Sequence, residues 1–105
     1  MESIISIYRI KNSGKKHVED LVQTLTERFE DSLETLDEAG VKIESIFIKN
    51  DRLYTYKLVR NIEEMRKIQK SSNKAIHSII RPIVQEYLEF EEEIIAEINF
   101  IVSSL

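Results

Sequence analysis

The sequence predicts an α+β fold, with one antiparallel sheet, helices packed against it, and the chain order β-α-β-β-α-β. Three observations carry that expectation: a β-rich alternating run at residues 4–11, two alternating runs that meet at Asn50-Asp51, and two long segments whose apolar residues recur every three or four positions. Alternation sends successive side chains to opposite faces of a strand, whereas the wider spacing gathers them on one side of a helix. With 105 residues, 42% hydrophobic and 32% charged, the chain makes a single domain spanning 1–105 with a modest core.

The elements follow in order. After the first strand, NSG at residues 12–14 reads as a short loop. Val18, Leu21, Val22, Leu25, Phe29, Leu33 and Leu36 then form one apolar stripe, predicting a helix over 15–39. Gly40 ends it, where a left-handed residue is expected. In the hairpin over 41–59, Asn50-Asp51 reads as a two-residue turn, because both residues tolerate left-handed backbone. Asn61, with Glu64 three residues on, looks like a helix cap ahead of Ile62, Met65 and Ile68. SSNK predicts a break that Ser72 can recap. The run Ile76, Ile79, Ile80, Ile83, Val84, Tyr87 and Leu88 resumes the helical period, and Pro82 within it predicts a bend. The tail EEEIIAEINFIV also fits a helical period, but its isoleucines, Asn99 and Phe100 favour a strand, with Glu91, Glu92 and Glu93 as a solvated entry. A final strand completes the split βαβ, or ferredoxin-like, arrangement.

Register about Asn50-Asp51 sorts the hairpin faces. Val41, Ile43, Ser45, Phe47, Tyr54, Tyr56 and Leu58 share one side, expected to lie under the helices with Ile4, Ser6, Tyr8, Ile10, Ile94, Ala96, Ile98 and Phe100. Lys42, Glu44, Ile46, Ile48, Leu53, Thr55, Lys57 and Val59 share the other, expected to join Ile5, Ile7, Arg9, Ile95, Glu97, Asn99 and Ile101. A second sheet face this apolar calls for a partner, and a homodimer is the expectation.

Charge narrows the function classes. The net charge is -4, yet residues 42–81 hold ten Lys/Arg against four Asp/Glu, leaving five against fifteen elsewhere. These cations are interleaved with acids or lie on a solvated helix face without an aromatic platform, which argues against nucleic acid. The absence of cysteine excludes disulfides and thiolate chemistry. An acidic start and the lack of an apolar stretch approaching about 20 residues argue against a secretion signal or membrane span, so the expected location is cytoplasmic.

YRIK in the first strand, LETLDEAG closing the first helix, and VKIESIF leading through the hairpin to LYTYKLV together resemble a group of small bacterial proteins in the dimeric α+β barrel superfamily. That superfamily also holds L-rhamnose mutarotase-like proteins and antibiotic-biosynthesis monooxygenase-type domains. The resemblance covers about the first sixty residues and implies two sheets paired face to face around a pocket, with the Glu44 face as its lining. It does not supply a mechanism. Mutarotase-like relatives use a pocket histidine and tyrosine, whereas this first helix has His17 near its start and no tyrosine. Monooxygenase-like relatives rely on Trp and Asn, and this chain has no Trp.

Candidate site residues follow from the chemistry of that face. A carboxylate in an apolar lumen is disfavoured in its charged form and a neighbouring cation restores it, so Glu44 or Glu97 could act as acid or base. Arg9 and Lys57, with Asn99 beside them, would anchor a small polar or anionic ligand. His77, at the border of the apolar stripe, is a second acid–base candidate. The competing reading makes Glu44–Lys57 and Arg9–Glu97 structural cross-strand pairs. No metal spacing, phosphate-binding glycine loop or nucleophile motif is present, and no cofactor is expected. Three functions remain open: a small-molecule-binding dimer, a mutarotase- or isomerase-like enzyme, and a structural or regulatory dimer without a ligand.

Overall fold

A computed structural model describes residues 1–104: β1 (Glu2–Ile10), α1 (Lys15–Glu27), α2 (Phe29–Glu38), β2 (Val41–Lys49), β3 (Arg52–Val59), α3 (Ile62–Ser71), α4 (Ala75–Tyr87) and β4 (Leu88–Ile95). The strands form one antiparallel sheet in the order β2-β3-β1-β4. This is the expected ferredoxin-like arrangement, with each helical connection built from two helices.

Local chemistry explains the joints. Lys49 pairs with Arg52 across the two-residue turn, and Asn50 takes φ 55°, which Asn accepts more readily than most residues. Gly40 sits at φ 71° just past α2, where a side chain would be strained. The Asn61 side chain accepts a 2.8 Å hydrogen bond from the Glu64 backbone N–H, so the expected cap is present. Asn12 and Ser13 hold positive φ in the loop after β1, and the Lys74 N–H donates to the Ser72 hydroxyl at the break between α3 and α4.

The first helix is interrupted. Arg28 leaves helical geometry (φ -96°, ψ 44°), and its side chain pairs with Asp31 in the first turn of α2. Neither glycine nor proline marks the break. Its effect is to turn Phe29 and Leu33 outward, 62% and 49% exposed, whereas Val18 and Leu21 are buried and Leu36 still packs against the core. The last strand also differs from expectation. It begins at Leu88, takes in Glu91–Glu93 and stops at Ile95, while residues 96–102 carry no regular structure. Edge-strand pairing with β1 fixes those limits: Ile10 meets Leu88, Ile4 meets Ile95, and the Ala96 N–H still reaches the Ser3 carbonyl at 3.0 Å. β1 then ends, and the tail has no neighbour to continue the ladder.

From Ile43 to Val59 the hairpin faces are reversed from the expected ones, while an irregularity in the register between Val41 and Ile43 leaves Val41 on the helix side, as expected. β1 is phased as read, with Ile4 and Ile10 buried, but Ile4 lies opposite Lys57, and Tyr8 opposite Leu53. Glu44, Ile46, Ile48, Leu53, Lys57 and Val59 therefore face the helices. Ile43, Phe47, Tyr54 and Tyr56 join Ile5 and Ile7 on the open face, where Phe47 is 50% exposed and stacks on Tyr54 at 5.0 Å. β4 is shifted likewise, Ile95 falling on the helix side and Ile94 on the open side. Both hairpin faces are apolar, so polarity could not phase them. Val59, Val41 and Ile4 fit beneath Ile62 and Met65 in one core cluster, and Leu53, Ile10 and Leu88 meet Val18 in a second. Burying each such side chain contributes roughly 1.5–3 kcal/mol.

Candidate functional site

Between the sheet and α3 the two core clusters leave a cleft of about 170 Å³. Its floor is Ile4, Ser6 and Tyr8 of β1, Lys57 of β3, and Phe90 and Glu93 of β4; α3 covers it with Met65, Arg66 and Gln69. The polar residues arise from two alternations. Ser6 and Tyr8 lie on the helix side of β1 with Ile4, and Arg66 and Gln69 occupy successive turns of α3 beside the buried Met65.

The charges around the cleft are paired but not locked. Lys57 Nζ is 3.6 Å from Glu44 Oε2, each side chain about one fifth exposed, and Glu44 lies directly opposite Lys57 across the strands. Arg66 forms an ion pair with Glu93 at the cleft edge. Burial raises the Tyr8 phenol above its ordinary value, keeping it a protonated donor, and its ring meets Phe90 edge-on at 5.8 Å. A molecule here would meet two hydroxyls, an amide and two cations, each of which has a carboxylate partner (Glu44 for Lys57, the lining Glu93 for Arg66), beside the apolar Ile4, Met65 and Phe90. That donor set suits a carboxylate, phosphate or polyhydroxylated group.

The expected site residues are divided among several places. Lys57 lines the cleft and Glu44 stands behind it, on the helix side of the sheet and not on the open face. Arg9 lies on the open face and pairs with Glu89 at 2.6 Å, in place of the expected Glu97. Glu97 lies beyond the end of β4, exposed, and the Asn99 amide donates to the Met1 carbonyl at 3.2 Å. His77 lies on α4, away from the cleft lining, with its Nε2 buried and unpartnered. Burial, reinforced by Arg81 and opposed by Glu38, holds His77 below its ordinary pKa. Ser6, Tyr8, Arg66, Gln69 and Glu93 complete the cleft and were not singled out as site residues in the sequence. Ser6 and Lys57, polar positions on the core side of central strands, are the signal that could have found it. Among the described residues, no group of three or more His, Cys, Asp or Glu side chains is placed to hold a metal ion. No helix among them is long and apolar enough to cross a membrane.

The model of a family of unknown function, DUF6176, matches residues 1–102. The chain belongs to this family. No curated protein is matched by its sequence. Among solved structures, HapK from Hahella chejuensis is similar over 100% of this chain and 99% of its own, with a TM-score of 0.69 and 12% identity. A dimeric ferredoxin-like protein from an uncultured marine organism matches over 97% and 100%, with a TM-score of 0.64 and 17% identity. An antibiotic biosynthesis monooxygenase matches over 97% and 100%, with a TM-score of 0.60 and 11% identity. At such identities the likeness is one of fold: this DUF6176 chain shares the ferredoxin-like α+β architecture of these proteins.

Proposed function

We propose that the protein is a homodimer in which each copy binds a small polar or anionic molecule in the cleft between its own sheet and α3. The observation that carries the binding reading is the convergence of Lys57, Arg66, Gln69, Ser6 and Tyr8 on one partly apolar cavity. Ligand sites commonly combine an apolar wall with a few convergent polar groups. The dimer reading rests on the open face, where Ile5, Ile43, Phe47 and Ile94 are exposed together, and is in keeping with a neighbour of the same fold described as dimeric.

Binding is favoured over proton transfer by placement. His77 is outside the cleft, and Glu44 reaches it only through Lys57. An enzyme of the mutarotase or isomerase kind would need Tyr8 or Glu93 as its proton carrier.

The test is native mass spectrometry of the purified protein, followed by calorimetric titration with inorganic phosphate and a series of small mono- and dicarboxylates. The expected result is a dimer that binds at least one of these anions, with binding weakened about tenfold or more in Lys57→Met and Arg66→Met, as loss of a charge-assisted contact implies. Equal binding by both variants overturns the cleft. A monomer at micromolar concentration overturns the dimer.

A further inference from the structure

We infer that in the dimer the acidic strand β4 of each copy lies alongside the basic strand β2 of the other, so that edge charges set the orientation of the pair. The inference rests on the dimer reading above and adds to it which edge meets which.

β2 and β4 are the two edges of the sheet, each hydrogen-bonded to one neighbour. β4 carries Glu89, Glu91, Glu92 and Glu93 and no basic residue, whereas β2 carries Lys42 and Lys49, with its one acid, Glu44, turned toward the helices. Within the chain, Arg9 pairs with Glu89, Arg52 with Glu91, and Arg66 with Glu93. Glu92, and Glu97 just past the strand, remain exposed with no basic group within 4 Å among the described residues. Lys42 and Lys49 are likewise exposed, with no carboxylate within 4 Å among the described residues. The surplus charges are thus two acids at one edge and two cations at the opposite edge. Glu92 and Lys49 both project on the open, apolar face: Glu92 lies opposite Ile7, and Lys49 opposite Arg52, which faces Arg9.

Two identical sheets can meet face to face only about a two-fold axis lying between them and parallel to both. If that axis runs across the strands, β4 meets β4 and β2 meets β2, placing acids against acids and lysines against lysines. If it runs along the strands, β4 of each copy meets β2 of the other at both edges. Like charges brought together at an interface destabilise it and opposite charges steer it, so the second orientation is selected. The occupant of the open face is therefore a second copy of this chain, because its two edges complement each other.

The experiment uses two full-length variants, Lys42→Glu with Lys49→Glu, and Glu92→Lys with Glu97→Lys. All four positions are exposed, and circular dichroism verifies that each variant is folded. Sedimentation is measured at low salt for the parent, for each variant alone, and for the equimolar mixture. Each variant alone is expected to dissociate at about tenfold higher concentration or more, since it opposes like charges at both edges. The mixture is expected to recover parent-like dimers, because both edges of the mixed pair are again complementary. Salt near 1 M is expected to erase the differences. Variants that dimerise as well as the parent, or a mixture that shows no recovery, overturn the edge pairing while leaving the dimer standing. A parent chain that is itself monomeric overturns the dimer reading and this inference with it.

Discussion

Gly14 stands where the ring of Tyr87 leaves no room for a methyl group. A Cβ added there would lie 2.4 Å from the Tyr87 ring, and 2.7 Å from its Cβ, which cannot swing away. The backbone of Gly14 is unstrained at φ -87°, so the constraint is steric, not conformational. Gly14→Ala is therefore expected to cost about 1–3 kcal/mol in urea unfolding, the usual range for forced overpacking. The same ring stacks on His17 at 4.4 Å, so the substitution would also disturb that pair. His77 gives a prediction in pH. Its pKa is lowered in the folded chain from the ordinary 6.5 by burial first, with Arg81 adding to it and Glu38 on α2 opposing. The unfolded chain then binds the proton more readily, so this contribution to stability is present above about pH 6.5 and is lost as pH falls. Thermal melts between pH 7 and 5 should show a steeper decline for the parent than for His77→Asn. Identical slopes would mean that His77 titrates no differently in the two states. For the Glu44–Lys57 pair, partly exposed and 3.6 Å apart, Glu44→Gln is expected to change stability by less than about 1 kcal/mol. A larger loss in urea unfolding would make the pair a structural keystone.

Among the elements, the break at Arg28 matters most for how far the sequence can be read. A stripe from Val18 to Leu36 implies one rod, and its spacing is uninterrupted. What stops the rod is geometry that no residue type announces: the Arg28–Asp31 pair and the Ser32 hydroxyl, which donates to the Leu25 carbonyl at 3.2 Å, stabilise a bend between two short helices. Phe29 and Leu33 thereby leave the core. Replacing Phe29 with Gln should shift stability by no more than about 0.5 kcal/mol, against roughly 3–5 kcal/mol for truncating a core phenylalanine. Chemical denaturation separates the two outcomes easily. Features that depend on local chemistry were legible: the Asn50-Asp51 turn, the Asn61 cap and the Gly40 terminus each rest on one or two side chains. Limits set by long-range pairing were not. β4 runs over Leu88–Ile95 because β1 offers partners over that span, while Leu88 by itself continues a helical period.

For the whole molecule, the element order was legible and the orientation of the hairpin was not. Alternation gave the correct grouping of Glu44, Ile46, Ile48, Leu53 and Lys57 on one face, but both faces were apolar enough to lie beneath helices. The consequence for the site is direct: Lys57 was found in its correct pairing but assigned to a lumen between copies, whereas its cleft lies within one copy. The exposed face is instead the aromatic one. Phe47→Asp on that face is expected to dissociate the dimer while leaving the helix-side core intact, seen as a fall in sedimentation coefficient with unchanged circular dichroism. An unaltered dimer would place the interface elsewhere. One copy has a Cα radius of gyration of 13.8 Å, so small-angle scattering from a face-to-face pair should give a value clearly above it.

The position of β1 in the middle of the sheet also has a bearing on synthesis at the ribosome. Its neighbours are β3 and β4, whose residues emerge some fifty and eighty or more positions later. While the chain is being made, Ile4, Ile5 and Ile7 wait unpaired, and the β2–β3 hairpin can cover only one side of them. An open, isoleucine-rich strand edge is a template for pairing with the wrong chain, and contacts this distant in sequence close slowly. The nascent protein therefore depends on the arrival of β4, and chains truncated before Leu88 are expected to aggregate where the full-length chain does not.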